Sequence, residues 1–311
     1  MFTESNTVEQ MILDAVAKLG SKPASMVRED ALPYGGESLG DDLRPARWTY
    51  VLSTEVPRQP SDVMVEPWVR EALIRLNPDR AAQPDRADEV IYNLRACILS
   101  VQADGLVRAN ENFMAWPRGE KTMPFGDNGE HVPVRLVDAV QPANNRLTVT
   151  NQWTFQVGAV EKRFDVVFVV NGLPLVIGEA KTPTRSAVTW FDGAFQINQI
   201  YEKEVPAMFV PNVFSFATEG RLFRYGSIRM PIEMWGPWCD DDNQDEGQLQ
   251  DIRTTVESML RPEVVLDILQ HFTVFATDKK HWRIKLSAAT SNMKPPTRSS
   301  PAWCRATRRR V

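Results

Sequence analysis

Apolar side chains recur at spacings of three and four residues near the start of the chain, from Val8 to Leu19, and predict a helix with one hydrophobic stripe. Thr7 and Gln10 form a candidate capping box, and Gly20 is a typical C-terminal stop. Glu9 falls on the border of the stripe. Its carboxylate therefore faces a cleft beside the core or simply points into solvent, as most charges on helix borders do.

Two more helices are predicted before the centre of the chain. One runs from Val69 to Leu76, and the other starts near Asp85 and continues to Val101. Residues 21–60 are rich in proline, glycine and charge and predict loop with short elements. Residues 105–146 contain many turn-forming side chains, so we expect an irregular insertion on the surface.

From Leu147 the apolar period changes to two, which predicts a half-buried strand in which Asn151 is the one break on the apolar face. Two β-rich runs follow, joined by Asn171-Gly172, a strong hairpin signal. After the hairpin the pattern predicts a helix over 186–203 and strands over 208–217 and 221–226. This order predicts an α/β fold with a mixed central sheet flanked by helices.

The hairpin carries a group of charged side chains at the ends of its strands. Asp165 lies near the start of the first strand, and Glu179 and Lys181 share one face near the end of the second. A charged group on an otherwise apolar hairpin is costly to bury, which favours a chemical role. The alternative is an exposed Glu and Lys on an edge strand beside an unrelated Asp.

A two-residue turn at Asn171-Gly172 would place Asp165 opposite Gly178, with Glu179 on the other face. If both acids bind one metal ion, the hairpin must contain a β-bulge or a sharp bend near Asp165, or its loop must have an odd number of residues. Gly178 is a natural place for a bulge. Two carboxylates and a backbone carbonyl are ligands suited to Mg²⁺, which acidifies a bound water and neutralises charge on a phosphate. A nearby lysine stabilises the same charge.

The arrangement of Asp165 followed by Glu179-x-Lys181 resembles the D…(D/E)xK signature of the PD-(D/E)xK nucleases. The longer segments Phe164–Pro183, Gly193–Ile197, Pro211–Gly226 and Trp235–Trp238 resemble the N-terminal nuclease region of the restriction (R) subunit of type I restriction-modification enzymes. The likeness runs from about residue 3 to about residue 286. It implies a PD-(D/E)xK core and a Mg²⁺-dependent endonuclease that cuts double-stranded DNA.

The resemblance also implies roles for individual residues. Asp165, Glu179 and the Ala180 carbonyl would bind Mg²⁺, and Lys181 would be the catalytic lysine. Glu9 matches a first-helix glutamate often found near such sites. The family carries a Gln and a Tyr, commonly spaced QxxxY, on the next helix; Gln196 and Tyr201 are five apart here, and Gln199 is the other candidate.

Composition supports a folded protein, with 43% apolar and 24% charged residues. Three cysteines and three histidines share no metal-ligand spacing, which argues against a disulfide framework and a zinc site. No apolar run approaches the length of a membrane span, and the N-terminus is unlike a signal peptide, so we expect a cytoplasmic protein. The net charge is −4, and the first 286 residues carry −10, so any DNA contact must come from a local patch or a partner subunit.

The sequence predicts three regions: a nuclease domain over 1–239, an acidic linker and the helical start of a truncated motor region over 240–286, and a basic, disordered tail over 287–311. No GxxxxGK[ST] motif occurs, so ATP is expected only for the full-length family protein. From Ser287 onward the sequence resembles neither the family nor a core element. We expect it to be a frameshifted or non-native end.

Three functions remain open from the sequence. The first is the endonuclease domain of a type I restriction enzyme, which acts on double-stranded DNA with methyltransferase and specificity subunits as partners. The second is a catalytically silent truncated subunit that only docks on the methyltransferase complex. The third is a stand-alone nuclease of the same superfamily.

Overall fold

A computed structural model describes residues 5–18, 46–78, 84–181, 187–238 and 249–287. Its helices are α1 Ser5–Lys18, α2 Glu66–Leu76, α3 Pro84–Leu99, α4 Val101–Asp104, α5 Leu106–Met114, α6 Trp190–Phe195, α7 Glu202–Glu204, α8 Leu249–Met259 and α9 Pro262–His271. Its strands are β1 Thr49–Tyr50, β2 Thr122–Met123, β3 Val132–Pro133, β4 Leu147–Val157, β5 Val160–Val170, β6 Leu173–Ala180, β7 Phe214–Thr218, β8 Phe223–Gly226, β9 Thr273–Thr277 and β10 Arg283–Ser287.

Six strands form one central sheet in the order β1-β4-β5-β6-β7-β8. The β4–β5 and β5–β6 pairs are antiparallel, whereas the β1–β4 and β6–β7 pairs are parallel, and β6 is joined to β7 through α6. A parallel pair needs such a crossover, since a tight turn reverses the chain. The mixed sheet with flanking helices confirms the expected α/β, restriction-endonuclease-like fold class.

The helix α1 packs its predicted apolar stripe against the core. Val8, Ile12, Ala15 and Val16 are buried, and full burial of each larger side chain stabilises the fold by about 1.5–3 kcal/mol. Helices α2 and α3 confirm the next two predictions, with α3 ending earlier than expected. The chain then continues through the short α4. Thr7 and Gly20 lie outside the part of the chain whose side chains are described.

The predicted hairpin turn is present at Asn171-Gly172. Both residues have positive φ, 50° and 87°, as the twist of a two-residue hairpin turn requires. The Asn171 side chain is buried and donates to the Leu136 carbonyl and to Asn145 Oδ1, both at 2.8 Å. A β-carbon at Gly172 would collide with the Val65 carbonyl, so the turn is packed tightly against the start of α2.

The hairpin also contains the predicted irregularity. Near the turn, Val169 pairs with Pro174, but Phe168 already pairs with Val176, so Leu175 is the extra residue of a β-bulge. The bulge is therefore at Leu175, and the prediction of Gly178 was wrong. Gly178 pairs regularly with Val166. After the bulge, each residue of β6 pairs with the β5 residue one position further along the chain than a regular hairpin would give it. Glu179 therefore lies opposite Asp165.

Two expectations about irregular and extended segments were wrong. Residues 106–114 form α5 rather than part of a surface insertion, and Leu106, Ala109, Phe113 and Met114 are buried in the core. The many turn residues after Pro117 masked this short helical stripe. The strand expected from residue 208 begins only at Phe214, because a 3₁₀ turn over Pro206–Phe209 and Pro211 prevent regular pairing before it.

Helices α8 and α9 and the β9–β10 hairpin pack against the rest of the fold. Trp48 Nε1 donates to the Leu260 carbonyl at 2.6 Å, and Lys285 Nζ donates to the Asn212 carbonyl at 2.6 Å. Arg283 forms an ion pair with Glu111 on α5. The acidic segment 239–248 and the tail from 288 lie outside the described residues. The three predicted regions therefore stay predictions.

Across the ranges that the structure describes, no helix has both the length and the apolar character needed to cross a membrane.

Candidate active site

Asp165 and Glu179 meet on one face of the sheet. The Leu175 bulge aligns them on neighbouring strands, and the Ala180 backbone N–H donates to Asp165 Oδ2 at 2.9 Å. The two carboxyl groups are close enough for each to shift the pKa of the other. The sequence prediction that these two acids converge is therefore matched by the geometry.

The Glu179 carboxyl is enclosed. The side chain is 1% exposed, and no donor among the described residues reaches its Oε2 atom. Burial, followed by the charge of the neighbouring Asp165, raises the pKa of Glu179 to about 8. Burial also raises the pKa of Asp165, against the opposing effect of the Ala180 N–H. Two acids so close together favour a shared proton or a cation between them.

Lys181 supplies the positive charge beside this pair. Its Nζ lies 2.7 Å from Glu179 Oε1 and 2.5 Å from Gln196 Oε1. Its backbone N–H donates to the Thr218 carbonyl at 2.8 Å, which ties the end of β6 to β7. The ammonium group is therefore fixed by one carboxylate and one amide, and about a fifth of the side chain stays exposed, at 20%.

The helix that carries Gln196 changes its winding at this residue. Residues Gln196–Tyr201 form a π-helical turn between α6 and α7. The Gln196 amide donates to the Tyr201 hydroxyl, which in turn donates to the Arg163 carbonyl at 3.2 Å. Gln199 contacts Asn198 and Lys203 instead, so Gln196 is the glutamine at this site. Burial raises the pKa of Tyr201, which keeps its hydroxyl protonated.

The helix α6 lies very close to the acidic pair. A β-carbon at Gly193 would lie 3.1 Å from the Ala217 Cβ and 3.4 Å from the Glu179 Cγ. The start of α6 is fixed by a capping box, in which Thr189 Oγ1 accepts from the Phe191 N–H at 3.2 Å and Asp192 Oδ2 accepts from the Thr189 N–H at 2.7 Å. This fixed, close helix shields Glu179 from water.

Glu9 lies inside the fold, close to the acidic pair. Its side chain is 4% exposed, and burial followed by the charge of Asp165 raises the pKa of its carboxyl group. Of the two orientations left open by the sequence, the structure therefore excludes the one that points into solvent.

Residues 39–231 match the family described as the type I restriction enzyme R protein N terminus. The chain belongs to this family. It is 30% identical to the type I restriction enzyme HindI endonuclease subunit of Haemophilus influenzae, over 74% of the chain and 22% of that relative. It is 26% identical to the putative type I restriction enzyme MjaIXP endonuclease subunit of Methanocaldococcus jannaschii, over 47% of the chain and 15% of that relative. The chain thus spans less than a quarter of the length of either relative.

Two site residues of this R protein N-terminal region escaped the sequence analysis. The Gln152 amide nitrogen lies 2.9 Å from both oxygens of Glu9, and Asn151 Nδ2 lies 3.5 Å from Glu9 Oε2. Asn151 was noticed only as a break in the apolar pattern of β4. Gln152 gave no signal, because in a regular strand it would point away from Asn151.

The side chains of this region fit a divalent cation in charge and in donor type. Asp165 and Glu179 offer hard oxygen ligands, and the buried Glu179 Oε2 has no donor within the described ranges. No group of three or more His, Cys, Asp or Glu side chains suited to a metal ion occurs in those ranges. A metal ion would therefore need further oxygen ligands, which water, phosphate or a backbone carbonyl provides.

Proposed function

We propose that this chain is the Mg²⁺-dependent endonuclease domain of a type I restriction enzyme R subunit, which hydrolyses phosphodiester bonds of double-stranded DNA. One observation carries the proposal: the Asp165 and Glu179 carboxyl groups lie next to each other, with the Lys181 ammonium beside them. The buried Oε2 atom of Glu179 receives no hydrogen bond from the described residues. Membership of the R protein N-terminal family supports it.

Asp165, Glu179 and the Ala180 carbonyl would hold Mg²⁺ in this proposal. When bound, Mg²⁺ acidifies a water molecule and neutralises charge on the attacked phosphate. The two carboxyl groups must both lose their protons to bind it. Burial and the nearby Asp165 together raise the pKa of Glu179 to about 8 in the cation-free protein, and the proximity of the two carboxyl groups favours a divalent cation over the single charge of a proton.

Lys181 would orient the attacking water or stabilise charge on the phosphate, and it is the catalytic lysine of the proposal. Its two contacts, to Glu179 and to Gln196, fix the ammonium group at one edge of the acidic pair. Tyr201 supports Gln196 from behind and is anchored on the Arg163 carbonyl. Gln196 and Tyr201 are therefore positioning residues, and Glu9 is a supporting acid next to Asp165.

The partners belong to the same proposal. Double-stranded DNA would be the substrate, and methyltransferase and specificity subunits would select the target and recruit the chain in the cytoplasm. The sequence contains no GxxxxGK[ST] motif, so ATP hydrolysis would belong to a part of the full-length protein that this sequence does not include. A separate specificity subunit also fits a chain whose first 286 residues are acidic.

Nicking of supercoiled plasmid in Mg²⁺ tests the proposal directly. We expect the parent to nick, the Asp165→Ala and Lys181→Ala variants to be inactive, and Lys203→Ala, which changes an exposed lysine that contacts Gln199, to retain activity. Equal activity in all four proteins would indicate contamination. If none of the four proteins nicks the plasmid but binding to a methyltransferase complex is retained, a subunit that only docks would be favoured instead.

A further inference from the structure

Gln152 has an unusual backbone conformation for a residue in the middle of a strand. Its φ is +54°, in the left-handed region that residues other than glycine rarely occupy. In the β4–β5 ladder, Asn151 pairs with Val166 and Trp153 pairs with Phe164, while Gln152 and Asp165 lie opposite each other without pairing. The distortion is therefore at the level of the acidic pair.

The left-handed conformation changes where two neighbouring side chains point. In a regular strand, Asn151 and Gln152 would project from opposite faces of the sheet. Here both amides reach Glu9, and the Gln152 Nε2 atom lies 2.9 Å from each of its carboxylate oxygens. The Tyr50 hydroxyl holds Asn151 in turn, with 2.8 Å to its Oδ1. Strain at a functional site of this kind persists only where its surroundings require it.

Glu9 is the side chain that benefits from this arrangement. It is buried, and the like charge of Asp165 acts on it, while Arg163 contributes a weaker attraction. A buried carboxylate facing a second one would rotate away unless donors fixed it. The Gln152 amide contacts both oxygens of Glu9 and therefore fixes the orientation of the carboxylate as well as its position.

We propose that Gln152 is a positioning residue of the nuclease site, held in a left-handed conformation so that its amide fixes the Glu9 carboxylate beside Asp165. Glu9 then joins Asp165 and Glu179 as a third carboxylate beside the place where a divalent cation and its water ligands would bind. This inference rests on the proposed function and deepens it, since it adds to the cation site a residue that does not itself bind the cation.

A purely structural role makes the opposite prediction for one substitution. Glycine adopts a φ of +54° without strain, so Gln152→Gly removes the amide and relieves the backbone at the same time. If Gln152 served the fold alone, this variant would bind metal as the parent does. If Gln152 positions Glu9, the variant keeps its stability and loses metal affinity.

The experiment compares the parent, Gln152→Gly, Glu9→Gln and the double variant. Each melting temperature is measured without divalent ions, and Mn²⁺ affinity is measured by calorimetry without DNA. We expect Gln152→Gly to melt at or above the parent temperature and to bind Mn²⁺ about tenfold more weakly, the usual effect of losing a residue that orients a ligand. In the Glu9→Gln background it should weaken binding no further.

Gln156 on the same strand is the matched control. Its amide contacts only the Gly158 carbonyl among the described residues, 3.1 Å away at the strand end. Gln156→Gly should lower the melting temperature, because glycine weakens a regular strand, and should leave Mn²⁺ affinity unchanged.

The outcomes separate this inference from the proposed function. Parental Mn²⁺ affinity in Gln152→Gly, or weaker binding only together with a lower melting temperature, overturns the positioning role alone. Additive losses in the double variant overturn it as well, because Gln152 would then act independently of Glu9. A parent that binds no Mn²⁺ defeats the proposed function, and the positioning role with it.

Discussion

The Gln196 amide donates a hydrogen bond to the Tyr201 hydroxyl, five residues further along the same helix. In a regular α-helix, side chains four apart face the same way and side chains five apart do not. The π-helical turn over Gln196–Tyr201 accommodates the extra residue. The π-helical turn therefore lets Gln196 and Tyr201 contact each other in this chain although they are five residues apart.

Tyr201→Phe removes the hydroxyl that joins Gln196 to the Arg163 carbonyl. We expect slower plasmid nicking, because Gln196 loses its support and holds Lys181 less firmly, and a fall of about 1–2 kcal/mol in the free energy of unfolding. Nicking rates and urea unfolding of the variant measure the two effects. Gln199→Ala, two positions earlier, is the control and should nick at the parental rate. Slow nicking by Gln199→Ala would show that Gln199, and not Gln196, is the glutamine of the site.

Gly178→Ala places a methyl group in severe steric clash with Cζ of Phe216 on the neighbouring strand. We expect a loss of about 1–3 kcal/mol in the free energy of unfolding, since Phe216 is fully buried and stacks on Phe223, so it cannot move aside. Urea unfolding measures it. Gly236→Ala is the control, because the added methyl meets open space among the described residues. Equal stability of both variants would contradict the packing argument.

Divalent ions should stabilise the parent even without DNA. A ligand that binds only the folded state at 100 times its dissociation constant adds about 2.7 kcal/mol, which raises the melting temperature by several degrees. Asp165→Asn should melt higher than the parent without ions, because it removes a like charge beside Glu179 and Glu9, and it should lose the response to Mg²⁺. Thermal melts with and without Mg²⁺ measure both. An undiminished response in Asp165→Asn would remove this residue from the cation site.

Glu202 is a buried acid whose carboxylate accepts from the Arg229 backbone and is not part of the acidic pair, and it should make stability depend on pH. Burial raises its pKa to about 8, although it accepts from the Arg229 N–H at 2.8 Å. Between its ordinary pKa and 8 the folded state keeps the proton and the unfolded state loses it, so stability falls as pH rises.

Glu202→Gln should therefore remove this loss. We expect the variant to match the parent at pH 5 and to exceed it by about 1–2 kcal/mol at pH 7. Urea midpoints at the two pH values measure the difference. Glu204→Gln, two positions along on the exposed side of α7, should differ from the parent equally at both. A constant difference for Glu202→Gln would show that the acid is already ionised at pH 5.

Much of the sheet and the acidic pair was predictable from the sequence. The period of two from Leu147 and the Asn171-Gly172 turn are local signals, and they define β4, β5 and β6. The arithmetic of the hairpin also required an irregularity if Asp165 and Glu179 were to meet. Its position at Leu175 was not predictable, because it depends on a distant contact: the Leu175 carbonyl accepts from the Val213 N–H at 2.7 Å.

Other features depend on tertiary structure in the same way. The π-helical turn forms where Gln196 and Tyr201 meet Lys181 and the Arg163 carbonyl, which the helix sequence does not specify. The left-handed Gln152 is favoured only when Glu9 lies opposite it. The β9–β10 hairpin was missed because it follows two helical patterns without a turn signal as strong as Asn171-Gly172.

The bulge at Leu175 makes the site sensitive to whether the hairpin gains or loses an odd or an even number of residues. Thirteen residues separate Asp165 from Glu179, and a two-residue turn with a perfect ladder would require an even number. A natural insertion or deletion of one residue in this interval would turn Glu179 to the far side of the sheet, whereas a change of two would preserve its side. Among relatives, hairpin length should therefore vary in steps of two.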